Sequence, residues 1–363
     1  MKLFQSLLVA PAALGLLSPT VANATELNLN AISGYSQEKF DLDSNSFKSH
    51  PVKNSLLLSG GEGLVETSEE SSVEAFSSTT TSASFGSTFY IGAVSESAAE
   101  AVTFSYDFGM DLSTSFTGED SFDVAIIGGN AAGTSVDGYM GGDDTTDALV
   151  LDGVSYTFPL GSATVIVGDG VGVDDMNTGA CAYSAFTDLL GDCGTSSVGG
   201  SADSAIAIGY DFGNGFSVAG GVGGGTGTDG FFTEEDASTI GLEVAYTADT
   251  YGLSVAYTDD EDLEYLSFQG MLAPEGFPSI SVGFETEEDA DAASYFAGLT
   301  FDEVGPGSVS LGYAEQLTGT DSQYELSYSY PLNDGVTITP GIFVAETAGD
   351  DETGIVVTTS FSF

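Results

Sequence analysis

Few side chains in this sequence have the chemistry for catalysis, and none of them forms a recognisable site. The only histidine is His50, arginine is absent, and no basic residue follows Lys53. The long region beyond these residues therefore lacks the partners for serine–histidine or metal–histidine chemistry, and no guanidinium can clamp a phosphate. With 55 aspartates and glutamates, neighbouring carboxylates of the kind that glycosidases use are expected by chance. We predict a protein that is not an enzyme and has no cofactor.

The two cysteines of the chain, Cys181 and Cys193, lie close together in sequence and predict a local disulfide. Such bonds form in oxidising compartments, and a bridge that closes a loop of this size stabilises the fold by roughly 3 kcal/mol in the chain-entropy model. A metal site would need further ligands, and His50 is far away in the sequence. We therefore expect a structural pair.

The charge of the chain limits its partners. The 55 acidic and 4 basic side chains give a formal net charge of −51, so no basic patch is available for nucleic acid. Such a surface attracts cations and repels anions. The acidic runs at 259–262 and 287–289 supply oxygen ligands of the kind that bind Ca²⁺ or Mg²⁺ weakly. A solvated face that repels anions is the simpler interpretation of these runs.

The N-terminal residues predict export. Lys2 precedes an apolar run from Leu7 to Leu17, and the small-x-small pattern of a cleavage site follows at 22–24. The run is too short to span a membrane, and no later window approaches the roughly 20 apolar residues of a membrane helix. We divide the chain into three parts. They are a signal peptide at 1–24, a polar, serine-rich extension or linker at 25–81, and a β-rich domain at 82–363.

Apolar and polar side chains alternate through the third part, and this alternation predicts β-strands. In the last segment Ile355, Val357, Phe361 and Phe363 share one face, and mostly threonine and serine occupy the other. Phe343 is an exception, because it lies on a mainly polar face. Polar faces of small residues and occasional carboxylates suit a water-filled lumen whose outer surface meets lipid. A soluble sandwich also alternates, so this pattern alone leaves both architectures open.

The connections between the segments favour the membrane barrel. When Phe363 is placed at the periplasmic end, tight-turn sequences fall at that end and longer, more acidic connections at the other. The predicted turns are 214–215, 248–249, 274–278, 305–307 and 333–335. The predicted outer loops are 128–147, 170–200, 223–237, 258–262, 285–291 and 349–352. The count is about 16 strands plus a less certain segment at 83–94. Because single-chain bacterial barrels have even strand numbers, we predict an all-β, transmembrane antiparallel β-barrel of about 16 strands around an aqueous channel.

Acidic residues on the predicted lumen face are the candidate pore-lining residues. They are Asp107, Asp123, Glu243 and Glu325. In a water-filled barrel their carboxylates would favour cations. The long connection at 170–200 contains the cysteine pair, and loops of this length are usually functional or disordered. We expect the disulfide to brace an outer loop that folds into the pore or caps it; a stiffened surface loop is the alternative.

Four stretches of the chain resemble cyanobacterial outer-membrane porins of the Som type. They are the leader MKLFQSLLVAPAALGLLSPTVANATELNLNAISGYS, LSTSFTGEDSFDVAIIGGNA, CAYSAFTDLLGDCGT and the C-terminal YELSYSYPLNDGVTITPGIFVAETAGDDETGIVVTTSFSF. The resemblance implies a relative of the OprB carbohydrate-selective group, some members of which are described as iron-uptake porins. Such porins typically carry an S-layer homology domain and a coiled coil, for which residues 30–80 are too short. Phe361 and Phe363 resemble the aromatic end that the barrel-assembly machinery reads.

Together, the residues and the resemblance predict an outer-membrane porin. It would be a passive diffusion channel for small hydrophilic solutes and ions that prefers cations and is embedded in outer-membrane lipid. The alternatives are a carbohydrate- or iron-directed porin, a plugged structural or adhesive surface barrel, and a soluble secreted β-protein. A homotrimer is what similar general porins suggest.

Overall fold

The computed structural model describes most of the chain beyond residue 80. The described ranges are 81–95, 101–195, 204–224, 238–260, 263–287, 292–315, 322–346 and 351–363. The predicted signal peptide and all of the predicted polar extension except Thr81 lie outside them. His50, the four lysines and the ends of the two acidic runs at 261–262 and 288–289 also lie outside. Within the described ranges, no helix has the length and apolar character needed to cross a membrane.

Sixteen antiparallel strands form one closed barrel, in which each strand pairs with its neighbours in sequence and the first pairs with the last. The strands are β1 (Thr81–Val94), β2 (Thr103–Thr114), β3 (Ser121–Gly129), β4 (Val150–Leu160), β5 (Ala163–Asp169), β6 (Ser204–Asp211), β7 (Phe216–Gly224), β8 (Thr239–Ala248), β9 (Tyr251–Asp260), β10 (Leu263–Leu272), β11 (Ser279–Glu287), β12 (Ala292–Val304), β13 (Gly307–Glu315), β14 (Ser322–Asn333), β15 (Val336–Glu346) and β16 (Glu352–Ser362). The predicted antiparallel β-barrel of about 16 strands is confirmed. The less certain segment at 83–94 belongs to β1 and is one of the sixteen strands rather than an addition to them.

The connections alternate between two rims of the barrel. The C-terminal rim, where Phe363 lies, has short turns such as 161–162, 249–250 and 334–335, whereas the opposite rim has the long connections 130–149 and 170–203. The predicted turns lie at the C-terminal rim, and the described parts of the predicted outer loops lie at the opposite rim, where 223–224, 258–260 and 285–287 still belong to strands. Gly161 and Gly305 adopt φ values of 69° and 67° in two of the short turns, a conformation that strains other residues.

The two faces of the barrel wall differ sharply in chemistry. Leu253 and Val244 point outward and are 61% and 55% exposed, although they are large and apolar. Ser254 and Glu243, their neighbours in sequence, point inward and are buried. An apolar belt this exposed is typical of a surface that meets lipid.

Aromatic side chains border this apolar belt on both sides. Near the C-terminal rim, Phe85 stacks on Phe363 with ring centroids 5.6 Å apart, and β7 and β8 contribute a similar outward pair. Towards the opposite rim, Phe284 lies 5.3 Å from Tyr295, and an outward tyrosine pair joins β13 to β14. Two aromatic bands around an aliphatic belt are the arrangement found where a barrel crosses both interfaces of a bilayer.

A single carboxylate organises the turn between β2 and β3 at the C-terminal rim. Oδ1 of Asp120 accepts hydrogen bonds from Ser115 Oγ at 2.7 Å, from the backbone N–H of Phe116 at 2.9 Å, and from the N–H and hydroxyl of Thr117 at 2.8 Å each. Oδ2 accepts a hydrogen bond from the hydroxyl of Tyr156 on β4 at 2.6 Å. The hydrogen bond from Tyr156 is the main cause that lowers the pKa of Asp120 well below its usual range. The charged carboxylate therefore ties β4 to the turn.

We expect Asp120→Asn to destabilise the barrel at neutral pH and to reduce its sensitivity to acid. A carboxyl with a lowered pKa in the folded state contributes its full stabilisation above the unfolded pKa, about 4, and loses it as the pH falls towards the folded value. The urea midpoint in detergent, read from the gel mobility of unheated samples, should therefore fall below about pH 4 in the wild type and fall less in the variant. The exposed neighbour Glu119 provides the control: Glu119→Gln should follow the wild type. Identical acid profiles for all three proteins would contradict this role of Asp120.

Candidate functional site

The connection between β5 and β6 folds into the barrel. We call its described part, residues 170–195, the inserted segment. Its backbone N–H groups reach inward-facing acids on widely separated strands: Thr178 donates to Glu243 on β8, and Thr187 donates to Glu325 on β14. After Thr187 a 3₁₀ turn (Asp188–Gly194) leads back towards β10 and β11. The segment therefore lies along the inner wall, as the first of the two sequence alternatives predicted.

The inserted segment has an outgoing limb, residues 170–187, and a returning limb, residues 188–195. Polar side chains of the wall hold both limbs. Oε2 of Glu243 accepts the hydrogen bond from the N–H of Thr178 at 2.6 Å. Oε1 of Gln269 on β10 accepts one from the N–H of Ala180 on the outgoing limb at 2.8 Å, and its Nε2 donates to the carbonyl of Asp192 on the returning limb at 2.7 Å. One amide thus fixes the spacing of the two limbs.

Glu325 binds the segment near its reversal point. Its carboxylate accepts hydrogen bonds from the hydroxyl of Tyr183 at 2.8 Å and from the N–H groups of Phe186 and Thr187 at 2.8 and 2.9 Å. The hydroxyl of Thr187 donates to the same carboxylate and accepts a hydrogen bond from Nε2 of Gln323 at 2.5 Å. All four of these hydrogen bonds to the buried carboxylate come from the inserted segment.

Glycines on the inner wall make room for the aromatic side chains of the segment. Gly298 on β12 and Gly312 on β13 lie directly opposite each other in register, and the ring of Tyr183 packs over both. The ring of Phe186 packs over Gly341 on β15 in the same way. A Cβ at any of these glycines would lie within 3.0 Å of the ring above it. Glycine at these inward positions is therefore a packing requirement of the segment.

The predicted disulfide joins the outgoing and returning limbs. Cys181 and Cys193 are bonded, with their Cα atoms 5.9 Å apart. Cys193 is buried with Leu190 against Phe296 and Ala314, which point inward from β12 and β13. The bridge therefore closes the two limbs into a covalent loop whose apolar side packs on the wall.

The connection between β3 and β4 also packs against the inner wall. It contains a short helix, α1 (Asp137–Met140), and the hydroxyl of Tyr139 donates to Glu352 at 2.6 Å. The ring of Tyr139 lies 4.6 Å from that of Phe343. This contact explains why a phenylalanine interrupts the polar face of β15, since Phe343 is covered by protein and not by water.

The four acids predicted to line the pore all occupy inward-facing strand positions, but their surroundings differ. Glu243 and Glu325 are only 2% and 1% exposed, because the inserted segment covers them. Asp107 on β2 is half-buried and accepts hydrogen bonds from Tyr90 at 2.5 Å and from the backbone of the β3–β4 connection at 2.9 Å. Asp123 on β3 is half-buried and has no contact with the segment among the described hydrogen bonds. The inserted segment thus covers Glu243 and Glu325, and the β3–β4 connection binds Asp107.

Other acids face the interior space from the inserted segment itself. Asp175, Asp188 and Asp192 are exposed, whereas the residues around them pack on the wall. Asp174 is partly buried, and this burial, together with the negative charges of Asp175, Asp192 and Glu243, raises its pKa to about 7. Sequence reasoning missed these residues, because a loop has no fixed periodicity from which to read the orientation of a side chain.

An uncharged recess of about 260 Å³ lies between the tip of the segment and the wall formed by β13–β16 and β1. The wall side carries the hydroxyl-bearing residues Thr88, Tyr90, Ser310, Ser327, Ser329, Thr339, Thr358 and Ser360. Met140 and residues 184–186 complete the lining. In a chain with 55 acids, a recess without a carboxylate is a distinct chemical environment.

No group of three or more histidine, cysteine, aspartate or glutamate side chains with the geometry of a metal site occurs in the described part of the chain. The acidic runs considered as weak Ca²⁺ or Mg²⁺ sites lie partly outside the described residues, at 261–262 and 288–289.

Solved structures share this fold, although no protein-family model and no curated protein matches the sequence. Pseudomonas putida OprB, in a structure at high pH, has a TM-score of 0.58 at 12% identity, covering 78% of this chain and 94% of that chain. An anion-selective porin from Comamonas acidovorans has a TM-score of 0.57 at 16% identity, and a triple mutant of Rhodopseudomonas blastica porin has 0.56 at 14%. Both alignments cover 78% of this chain and all of the other. The chain has the fold of the porins. At these identities the likeness concerns the fold alone.

We expect Gly312→Ala to push the inserted segment off the wall, because the new Cβ would lie within 3.0 Å of the Tyr183 hydroxyl and the Leu190 side chain. Chymotrypsin, which cleaves after aromatic residues and leucine, should then cut the folded barrel near Tyr183, Phe186 or Leu190 faster than it cuts the wild type. Gly109→Ala is the matched control, since Gly109 also points inward and its Cβ would meet no atom within 4 Å. Equal cleavage of all three proteins would show that the segment does not depend on this glycine.

Proposed function

We propose that the protein is an outer-membrane porin, through which small hydrophilic solutes and ions diffuse passively, with cations favoured. The observation that carries the proposal is the position of the inserted segment. It lies along the wall from β6 to β15, and its described contacts do not reach β2 or β3. Asp111 on β2 and Asp175 on the segment both remain exposed inside the barrel, which supports a wet passage beside the segment.

Three features support a location in the outer membrane. The closed barrel leaves no strand edge without a hydrogen-bonding partner, as a bilayer requires. The outward apolar belt and its two aromatic bands match the surface of a lipid-embedded barrel. The export pattern at 1–24 would deliver the chain to the assembly machinery, for which the exposed Phe363 and its outward neighbour Phe361 are the proposed recognition signal. The trimer suggested by similar porins stays a prediction, which chemical cross-linking would test.

Electrostatics support the preference for cations. Every charged side chain beyond Lys53 is acidic, so the barrel offers no fixed positive side chain to an anion. Inside a low-dielectric wall, fixed carboxylates raise the local concentration of cations and lower that of anions. Asp175, Asp188 and Asp192 on the segment, and Asp107 and Asp123 on the facing wall, are the residues proposed to create this field.

We expect the triple substitution of Asp175, Asp188 and Asp192 by asparagine to reduce the cation preference. These carboxylates face the interior, so their loss weakens the negative potential beside the passage. The measurement is the reversal potential of single channels in a planar bilayer under a salt gradient. Wild-type channels should show discrete steps carried mainly by cations, and the triple variant should shift the reversal potential towards zero.

A matched triple variant tests whether the position of the charge matters. Asp169, Glu264 and Glu346 lie at outward-facing, exposed strand positions, and their amides would remove the same number of charges. This control should keep the selectivity of the wild type. Equal shifts in both triple variants would reject the assignment of the field to the segment. A folded wild-type barrel that inserts without conducting would favour the plugged structural or adhesive barrel.

Among the alternatives, a carbohydrate-directed porin is favoured by one specific feature, the uncharged recess beside the tip of the segment. Hydroxyls from β13–β16 and β1 can donate and accept hydrogen bonds with a neutral, polyhydroxylated solute, and Tyr90 adds an aromatic surface.

We expect neutral disaccharides to block the wild-type current transiently, and the double variant Thr339→Val/Thr358→Val to shorten or remove these blocks. Valine keeps the shape of threonine but removes the hydroxyl. Thr157→Val is the control, because Thr157 points inward from β4 but does not line the recess. If the sugars do not change the wild-type current, or if the blocks are identical in all three proteins, a general diffusion pore is the better description.

A further inference from the structure

The carboxylate of Glu325 is buried and has no basic partner among the residues that the structure describes. No lysine, arginine or histidine occurs beyond Lys53, and its four hydrogen bonds come from Tyr183, Phe186 and Thr187. A buried carboxylate is costly unless strong donors satisfy it. The inserted segment supplies these donors, so the segment and Glu325 satisfy each other.

Glu325 binds the inserted segment at its reversal, and the position of this reversal determines how far the segment extends into the lumen. Glu243 and Gln269 bind the limbs, whereas Glu325 binds the turn at which the outgoing limb ends and the 3₁₀ turn begins. Asp188 follows Thr187 directly and is exposed to the interior beside Gly141 of the β3–β4 connection. The hydrogen bonds that hold Thr187 in place therefore also hold Asp188 in its position beside the β3–β4 connection.

We propose that Glu325 is a positioning residue that sets the width of the passage by holding the reversal of the inserted segment against the wall. The inference deepens the proposed porin function and rests on it. Glu325 contributes through its hydrogen bonds to the segment and not through its charge in the lumen, because the segment covers it. Loss of these bonds releases residues 183–188 into several positions.

The test compares the wild type with Glu325→Gln in two measurements. Glutamine keeps the size of the side chain but replaces one acceptor oxygen with an NH₂ group, which faces donors it cannot satisfy. In folded barrels in detergent, chymotrypsin should cleave near Tyr183 and Phe186 at least about tenfold faster in the variant, as expected for the loss of one or two charge-assisted hydrogen bonds. In planar bilayers, the variant should show added open-channel noise and a different exclusion size for neutral polyethylene glycols.

Glu346→Gln is the control for the loss of one negative charge. Glu346 lies on the adjacent strand β15, but it faces outward and is exposed. It should retain the cleavage rate, noise and polymer exclusion of the wild type. If the wild type conducts and Glu325→Gln has the same cleavage rate, noise and polymer exclusion as the wild type, the proposal is overturned while the porin function stands. A wild type that does not conduct overturns the porin function, and the cleavage rates then decide the positioning role alone.

A second variant leaves the barrel wall intact, in case Glu325→Gln does not fold. Tyr183→Phe/Thr187→Val removes the two side-chain donors of the segment and keeps the Tyr183 ring on its glycine pair. It should assemble as a heat-modifiable barrel and shift cleavage and noise in the same direction as Glu325→Gln. Wild-type behaviour of this double variant overturns the proposal.

Discussion

Strand β1 pairs with β16 from Gly86 opposite Ser362 to Val94 opposite Gly354, and this pairing removes the last free edge of the sheet. In a hydrocarbon environment an unpaired edge would leave backbone groups without partners, so closure is the condition for the whole fold. Closure also fixes which face of every strand points inward, since a shift of one residue would exchange the two faces. The lumen and the outward apolar belt are consequences of the same pairing.

The side chains on the inner face of the barrel are complementary in size and hydrogen bonding to the inserted segment. Small residues occur where the segment has bulk: Gly298 and Gly312 lie under Tyr183, and Gly341 lies under Phe186. Acids and amides occur where the segment presents backbone N–H groups. The chain has no basic residue beyond Lys53, and the buried carboxylates of Glu243 and Glu325 are satisfied instead by backbone N–H groups and, at Glu325, by two hydroxyls. The extreme acidity of the barrel is therefore compatible with a well-packed interior.

The interior has two chemically distinct sectors. Carboxylates occupy the wall of β2 and β3 and the exposed side of the inserted segment, whereas hydroxyls line the recess along β13–β16 and β1. The two sectors adjoin at β1 and β2, where the hydroxyl of Tyr90 in the recess donates a hydrogen bond to Asp107. A cation and a neutral polar solute would experience different surfaces within one passage, which is the physical basis for distinguishing general diffusion from sugar-directed transport.

The sequence by itself determined the strands, their inward and outward faces, the two rims and the cysteine pairing. Strand alternation has a period of two residues and is encoded locally, and two cysteines allow only one intramolecular pair. It also indicated that Glu243 and Glu325 point inward, but not that a loop covers them. Phe343 departs from the alternation because the ring of Tyr139, from a connection distant in sequence, packs against it. The path of the inserted segment was decided by tertiary contacts alone, because it depends on residues far apart in sequence that share no periodic signal.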